Sequence, residues 1–362
     1  MIGSPPAGAP SLASRSLNAA LQAPPGTTET IRPLYLVGGL ALLVVTVVDI
    51  LWTTLWVDGG SGPLSSRLTT WLWRGLRHLG GTRSRALSLA GPIILMATLV
   101  TWVGFIWGAW TLIFAGGENA LLAARENVPV TWTGRVFFVA YTMFTMGNGD
   151  FYPPVGVWQI AASLTTASGM LFVTMGVSYV LSVLGAVSNK RSFASSVSGM
   201  GTDSETLVRS AWEDGEFEGL DLPLNSLASR LDTLADQHKS YPILHYYHSE
   251  QSKQASAMAV AIFDESMTLL LFGVPAEHRP PRVLVENARA ASRNYLETLN
   301  NAFIEPAEEP PPPPDLDRLR TEGIPTVSDD EFADALDELT ERRRKLLGIV
   351  TGDAWHWPPI DE

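Results

Sequence analysis

The chain has 362 residues, a formal net charge of −12 and a mean hydropathy of only +0.12, an average over a very apolar first half and a polar, acidic second half. The length leaves room for two domains, the acidity argues against nucleic acid as a partner, and the absence of cysteine excludes disulfides, iron–sulfur clusters, thiolate zinc sites and cysteine catalysis. Twelve tryptophans, most of them before residue 160, are expected to mark membrane interfaces.

Residues 1–33 are rich in Pro, Ala, Ser and Gly and lack a basic start followed by a hydrophobic core, so they are expected to form a disordered tail rather than a signal peptide or anchor. Residues 34–57 are apolar apart from Asp49 and a few threonines, and are long enough to span a bilayer. An intramembrane carboxylate is a functional candidate that faces protein or water. The plainer alternative sets Asp49 close enough to the interface to reach water, with Trp52 and Trp56 as belt residues. Residues 58–86 interleave Arg67, Arg74, Arg77, Arg83 and Arg85 with Leu68, Trp71, Trp73, Leu76 and Leu79, which predicts an amphipathic helix on the cytoplasmic membrane surface. A voltage sensor would carry a basic residue at every third position of an apolar span. Arg67 stands seven residues before Arg74, which argues against one.

A second span is expected over 87–115, uncharged and carrying Trp102, Trp107 and Trp110; the polar stretch Gly116 to Thr133 follows. Residues 134–145 then form an apolar helix too short to cross a bilayer, which needs roughly 20 residues, with Thr131 or Thr133 as its cap. In Thr145-Met146-Gly147-Asn148-Gly149-Asp150, glycines alternate with other residues. Glycine reaches positive φ without a Cβ penalty, and such alternation can turn successive carbonyls to one side as a column of oxygens.

Thr145, Gly147, Gly149, Asp150, Tyr152 and Pro153 match the filter pattern of the potassium-channel superfamily, Thr-Val/Ile-Gly-Tyr/Phe-Gly-Asp followed by Tyr-Pro, and the segment resembles the re-entrant pore loop of that family. Met146 stands where the family has Val or Ile, and Asn148 where it has an aromatic ring. The resemblance implies a pore domain over residues 87–190: an outer helix 87–115, a pore helix 134–145, a filter 145–150 and an inner helix 155–188. It also implies that K+ is held by backbone carbonyls of Thr145, Met146, Gly147, Asn148 and Gly149, supported by Asp150 and Tyr141. One loop per chain supplies one wall, so a homotetramer is implied, with no cofactor beyond the permeant K+ and no enzyme activity. The short polar Asn148 leaves open a weakly selective Na+/K+ channel; a non-conducting membrane receptor or scaffold is the alternative from another class. Gly169 reads equally as a gating hinge or as a packing glycine. The basic stretch after 58 and Lys190-Arg191 place those ends in the cytoplasm of a multi-pass cell-membrane protein, with the N-terminus outside and the C-terminal domain inside.

Ser192 to Gly201 reads as a Ser/Gly linker. Residues 202–304 read as a helical cytoplasmic domain, with Leu224, Leu227, Leu231 and Leu234 at helical spacing and a buried helix expected over Ala257 to Phe272. No glycine-rich nucleotide turn follows a strand there, so an unknown regulator is the only partner expected besides lipid and K+. His245 and His248, at i and i+3 with His238 and Glu250 nearby, form a candidate regulatory pair, although packed, hydrogen-bonded histidines account for them more simply. Residues 305–327 are a Pro-rich acidic linker, read as a semi-rigid spacer. Residues 328–362 begin with a capping box at Ser328, continue as one helix to Arg342-Arg343-Arg344-Lys345, and end in a tail with Trp355 and Trp357, read as a docking peptide or a patch that folds back. The expected fold class is an all-α membrane protein with three transmembrane helices and a re-entrant pore loop, followed by a helical cytoplasmic domain.

Overall fold

A computed structural model describes residues 31–56, 60–80, 88–154, 156–300 and 304–359. The tail expected over residues 1–33 lies almost wholly outside the described residues, as do Arg83 and Arg85. The first elements are α1 (Pro33–Leu55), α2 (Pro63–Gly80), α3 (Ala90–Ala115), the short α4 (Trp132–Met143) and the long α5 (Val157–Met200). The chain divides into two compact units, one of Met1–Thr46 with Val103–Thr174 and one of Val47–Trp102 with Met175–Glu362, and α1, α3 and α5 each contribute to both.

In the first unit, small residues let helices meet at the backbone. A Cβ on Gly39 would lie 2.8 Å from the Ala109 carbonyl, so α1 rests directly on α3. Buried Phe114 meets Phe138 edge-on at 5.2 Å and Trp158 at 5.9 Å, joining α3 to α4 and α5. Two indole N–H groups add polar ties: Trp107 donates to the Val136 carbonyl and Trp110 to Ser168 Oγ, both at 2.9 Å. These two tryptophans thus fasten helices together. An antiparallel pair of β1 (Leu122–Ala123) and β2 (Phe151–Tyr152) closes the unit in the register Leu122 to Tyr152 and Ala123 to Phe151.

In the second unit α1 ends above a carboxylate cap. Asp49 is fully buried; its Oδ1 accepts from the Leu64 and Ser65 amides, and its Oδ2 accepts from Ser65 Oγ at 2.6 Å and Trp102 Nε1 at 2.9 Å. It thus caps the first turn of α2, where an anion also suits the helix dipole, and it does not reach water as the plainer expectation held. Along α2, Arg67, Trp71 and Arg74 share the exposed face, while Ser65 and Thr69 are buried.

The rest of this unit is a helical bundle of α6 (Ser204–Arg209), α7 (Asp221–Ser240), α8 (Ser256–Thr268), α9 (Arg282–Asn300), α10 (Leu316–Arg320), α11 (Asp329–Glu338) and α12 (Thr340–Gly352), with a hairpin of β3 (Trp212–Glu213) and β4 (Glu216–Phe217). Leu224, Leu227, Leu231 and Leu234 of α7 are buried, and α7 packs along α9. Every residue of α8 is buried, and a single π-turn, Leu269–Gly273, ends it. Four helical stretches among the described residues are long and apolar enough to cross a membrane: α1, α3, α5 and Ser256–Gly273. The last is 89% buried within the chain, whereas α1, α3 and α5 leave many apolar side chains exposed.

Several expectations are corrected here. The short helix runs over 132–143 rather than 134–145, and the inner helix does not stop at 188. The Ser/Gly linker is helix through Met200, because Phe193, Ala194 and Val197 are buried in the bundle core and the serines find acceptors, Ser196 Oγ at Ser192 O and Ser198 Oγ at Lys253 O. The Pro-rich segment 305–327 is packed and not a spacer. Ala307 exchanges hydrogen bonds with Arg344, Pro312 O accepts from Arg343 at 2.7 Å, and Leu316, Leu319 and Ile324 enter the core. The C-terminal helix breaks at Leu339 into α11 and α12. Its arginines also have partners. Arg342 pairs with Asp264, and Arg343 with Glu265 at 2.9 Å, both pairs lying against α8.

Candidate functional site

Helix α4 begins where Thr131 Oγ1 accepts from the Gly134 amide, the cap the sequence suggests. Its 12 residues rise about 18 Å, roughly half of a hydrocarbon core. The helix ends by tightening: Phe144 N donates to Ala140 O, Thr145 N to Thr142 O and Met146 N to Tyr141 O. Beyond that the backbone alternates. Thr145, Gly147 and Gly149 have φ of 58°, 60° and 78°, while Met146 and Asn148 lie outside the positive region.

Positive φ suits the two glycines. For Thr145, a β-branched residue, it is a strained conformation of the kind that persists where surrounding structure enforces it, and nothing in the composition foretells it. Among the described residues, none of the carbonyls of Thr145, Met146, Gly147, Asn148 and Gly149 accepts a hydrogen bond, and all five residues are exposed, Met146 by 72%. Unpaired carbonyls are strong acceptors awaiting a donor or a cation.

The support residues come together around this segment. Tyr141 donates its hydroxyl to Phe151 O at 2.9 Å. Asp150 accepts from Asn148 Nδ2 at 2.9 Å, and its carbonyl accepts from the Ala124 amide. Tyr152 donates to Asn127 Oδ1, so the strand pair and this bond fasten the downstream end of the segment to the loop before α4. The Asn148–Asp150 bond was not anticipated; the spacing of an amide two residues before a carboxylate was the available signal. Gly169 lies on α5 against the end of α4, and a Cβ there would sit 2.1 Å from the Met143 carbonyl oxygen. Close packing thus accounts for this glycine without a hinge, and α5 is continuous through it.

The candidate histidine pair is not set on one helix. His245 belongs to the 3-10 turn Pro242–Tyr246, which ends before His248, so the two do not share a helix face. His248 Nδ1 bonds Asp353 Oδ1 at 3.2 Å and its ring stacks on Trp355 at 5.1 Å, which shows that the aromatic tail folds back. His238 is buried, bonds Leu234 O and meets Tyr295 edge-on; burial, with Lys190 nearby, pushes its pKa down to about 3. Among the described residues no group of three His, Asp or Glu side chains is placed to hold a metal ion.

No family model and no solved structure matches the chain. Over 324 residues, covering 90% of this chain and 95% of that protein, it is 41% identical to the uncharacterized membrane protein YdjJ of Bacillus subtilis (strain 168), and it belongs to the same family of membrane proteins.

Proposed function

We propose that the chain is the subunit of a tetrameric channel that conducts K+ passively through the backbone carbonyls of Thr145, Met146, Gly147, Asn148 and Gly149. The observation that carries this reading is the alternation of positive φ at Thr145, Gly147 and Gly149, in a segment whose carbonyls have no partner among the described residues. Alternation of that kind is what turns successive carbonyls to one side, where they replace the water around a cation. Helix α4 leads into the segment with its C-terminal end, whose partial negative charge favours a cation there. On this reading α1, α3 and α5 span the membrane, α4 enters from outside, the N-terminus is outside, and the bundle that buries α8 is cytoplasmic. The chemistry is coordination and release at several weak sites, with no covalent step and no catalytic residue.

The test is current through purified protein in a planar bilayer with K+ on one side and Na+ on the other. A reversal potential near the K+ equilibrium value supports the reading, and its loss in Gly147→Ala assigns the current to this segment. A second reading, weak selectivity between Na+ and K+, is favoured by Asn148, whose side chain turns onto Asp150 where the superfamily has a ring. A reversal near zero that Asn148→Tyr moves toward K+ would establish it. Protein that assembles yet passes no ion under any opening condition would favour a receptor or scaffold.

A further inference from the structure

In a chain with a net charge of −12, the second unit opens a cavity of about 630 Å³ whose charged lining is Arg289, Arg293, Arg342 and Glu286. The wall includes Phe272 and Val283. Helix α9 contributes Glu286, Arg289 and Arg293 at i, i+3 and i+7, one helical face. Phe272 comes from the π-turn that ends α8, a local distortion frequent at functional sites.

Three arginines and one carboxylate line the cavity, with Asp264 and Glu265 of α8 within electrostatic reach of Arg289. Glu286 accepts from Arg282 Nε at 2.7 Å. Arg342 is committed to Asp264 through two guanidinium nitrogens, and also donates to the Arg289 carbonyl at 3.1 Å. Arg289 and Arg293 remain. Among the described residues neither guanidinium has a hydrogen bond or an ion pair; Arg289 lies 5.2 Å over the Phe272 ring, and because its Nη1 is sealed from solvent without a partner, a ligand in the cavity would meet its other nitrogens. A buried donor left unpaired is costly, and burial accordingly lowers the pKa of Arg289. Arginine is the side chain best suited to take an oxyanion through two parallel N–H bonds.

We propose that this cavity binds an organic phosphate, with the oxyanion between Arg289 and Arg293 and the apolar body against Phe272 and Val283. The site is larger than a bare phosphate would fill, and the Phe272 and Val283 wall gives an organic body apolar contact. The phosphate belongs either to a soluble metabolite or to a lipid headgroup. The site lies outside residues 145–150, and its occupancy does not depend on conduction.

The test is titration calorimetry on the full-length protein in detergent with three probes: inorganic phosphate, glycerol 3-phosphate and dihexanoyl phosphatidic acid. Saturable binding of one organic probe, tighter than inorganic phosphate, is expected; preference for glycerol 3-phosphate assigns a soluble ligand, and preference for the phosphatidic acid a headgroup. Arg289→Gln and Arg293→Gln should each weaken it by about tenfold or more, the effect of losing charge-assisted hydrogen bonds. Arg320→Gln, whose partners Asp317 and Asp329 lie outside the cavity lining, should leave it unchanged. Arg293 is exposed, so its variant keeps the test valid if the Arg289 variant misfolds, as melting temperatures will report. Absence of saturable binding by both organic probes would overturn the proposal. So would binding that both cavity variants leave intact.

Discussion

Three glycines on α5 face three different surroundings, and alanine at each should therefore give a different result. At Gly169 the new Cβ would meet the Met143 carbonyl oxygen at 2.1 Å and the Met143 Cγ at 2.5 Å. An ordinary carbon–oxygen approach is about 3.3 Å, so the end of α4 would have to withdraw by roughly 1 Å. Backbone cannot rotate out of the way as a side chain can. Overpacking of this kind costs about 1–3 kcal/mol, and the gain of up to about 1 kcal/mol from replacing glycine in a helix offsets only part of it. At Gly176 the nearest atom is the flexible Leu99 Cδ2 at 3.2 Å, and at Gly185 nothing lies within 4 Å. Gly176→Ala should be close to neutral and Gly185→Ala neutral or stabilising. Thermal unfolding of the purified protein in detergent reads all three. Gly169→Ala should melt clearly below wild type and the other two should not. A hinge at Gly169 makes the opposite forecast, an unchanged melting temperature with altered gating, and that result would refute the packing argument.

The Arg343–Glu265 pair, almost fully buried on both sides, should cost about 3–5 kcal/mol when Arg343→Leu leaves the carboxylate alone; hydrogen exchange over residues 305–359 should rise at least about 100-fold, and the double variant with Glu265→Leu should recover most of it. A double variant worse than either single one would count against this. For His238 the folded pKa of about 3 lies below the unfolded 6.5, so its contribution is complete above pH 6.5. It is lost as pH falls toward 3, by about 1.4 kcal/mol per unit, and His238→Gln should flatten that acid slope in melting curves taken across the window. Asp49→Ala should leave two amides of α2 without an acceptor and the Trp102 indole with only Ser65 Oγ at 3.2 Å, lowering stability by about 2–4 kcal/mol; a melting temperature equal to wild type would show that α2 does not need this cap.

What a single sequence reveals here follows from the range of the interactions. The apolar runs, the leucine repeat of α7 and the cap at Thr131 are local, and their periodicity or spacing is enough to read them. Ser192 to Gly201 looked like a linker because serine and glycine weaken a helix. Its helical state depends on Phe193, Ala194 and Val197 meeting a core assembled from much later residues. The polyproline segment was misread for the same reason. Arg342 and Arg343 find their carboxylates 78 residues away, and charge order along their own helix gave no sign of it. Asp49 could be marked as unusual, yet its donors come from Leu64, Ser65 and Trp102. Only the fold brings those together.

At residues 145–149 the sequence and the structure contribute separate parts of one argument. Glycines at 147 and 149 permit positive φ, but they would equally permit an ordinary turn. The third positive φ, at Thr145, is the part that residue type disfavours, and strain of about 1–3 kcal/mol at such a position persists only when neighbours hold it. Those neighbours are present: the Met146 amide bonds Tyr141, Tyr141 bonds Phe151, and the strand pair secures Phe151 and Tyr152. The effect is to keep five carbonyls exposed and, among the described residues, unpaired. At membrane depth each unpaired carbonyl costs several kcal/mol unless water or an ion meets it. A single chain can surround neither. If the segment lies at that depth, as the proposed topology requires, the cost is relieved only when further copies of the same wall enclose a wet or ion-filled axis, so symmetric assembly and ion coordination stand or fall together.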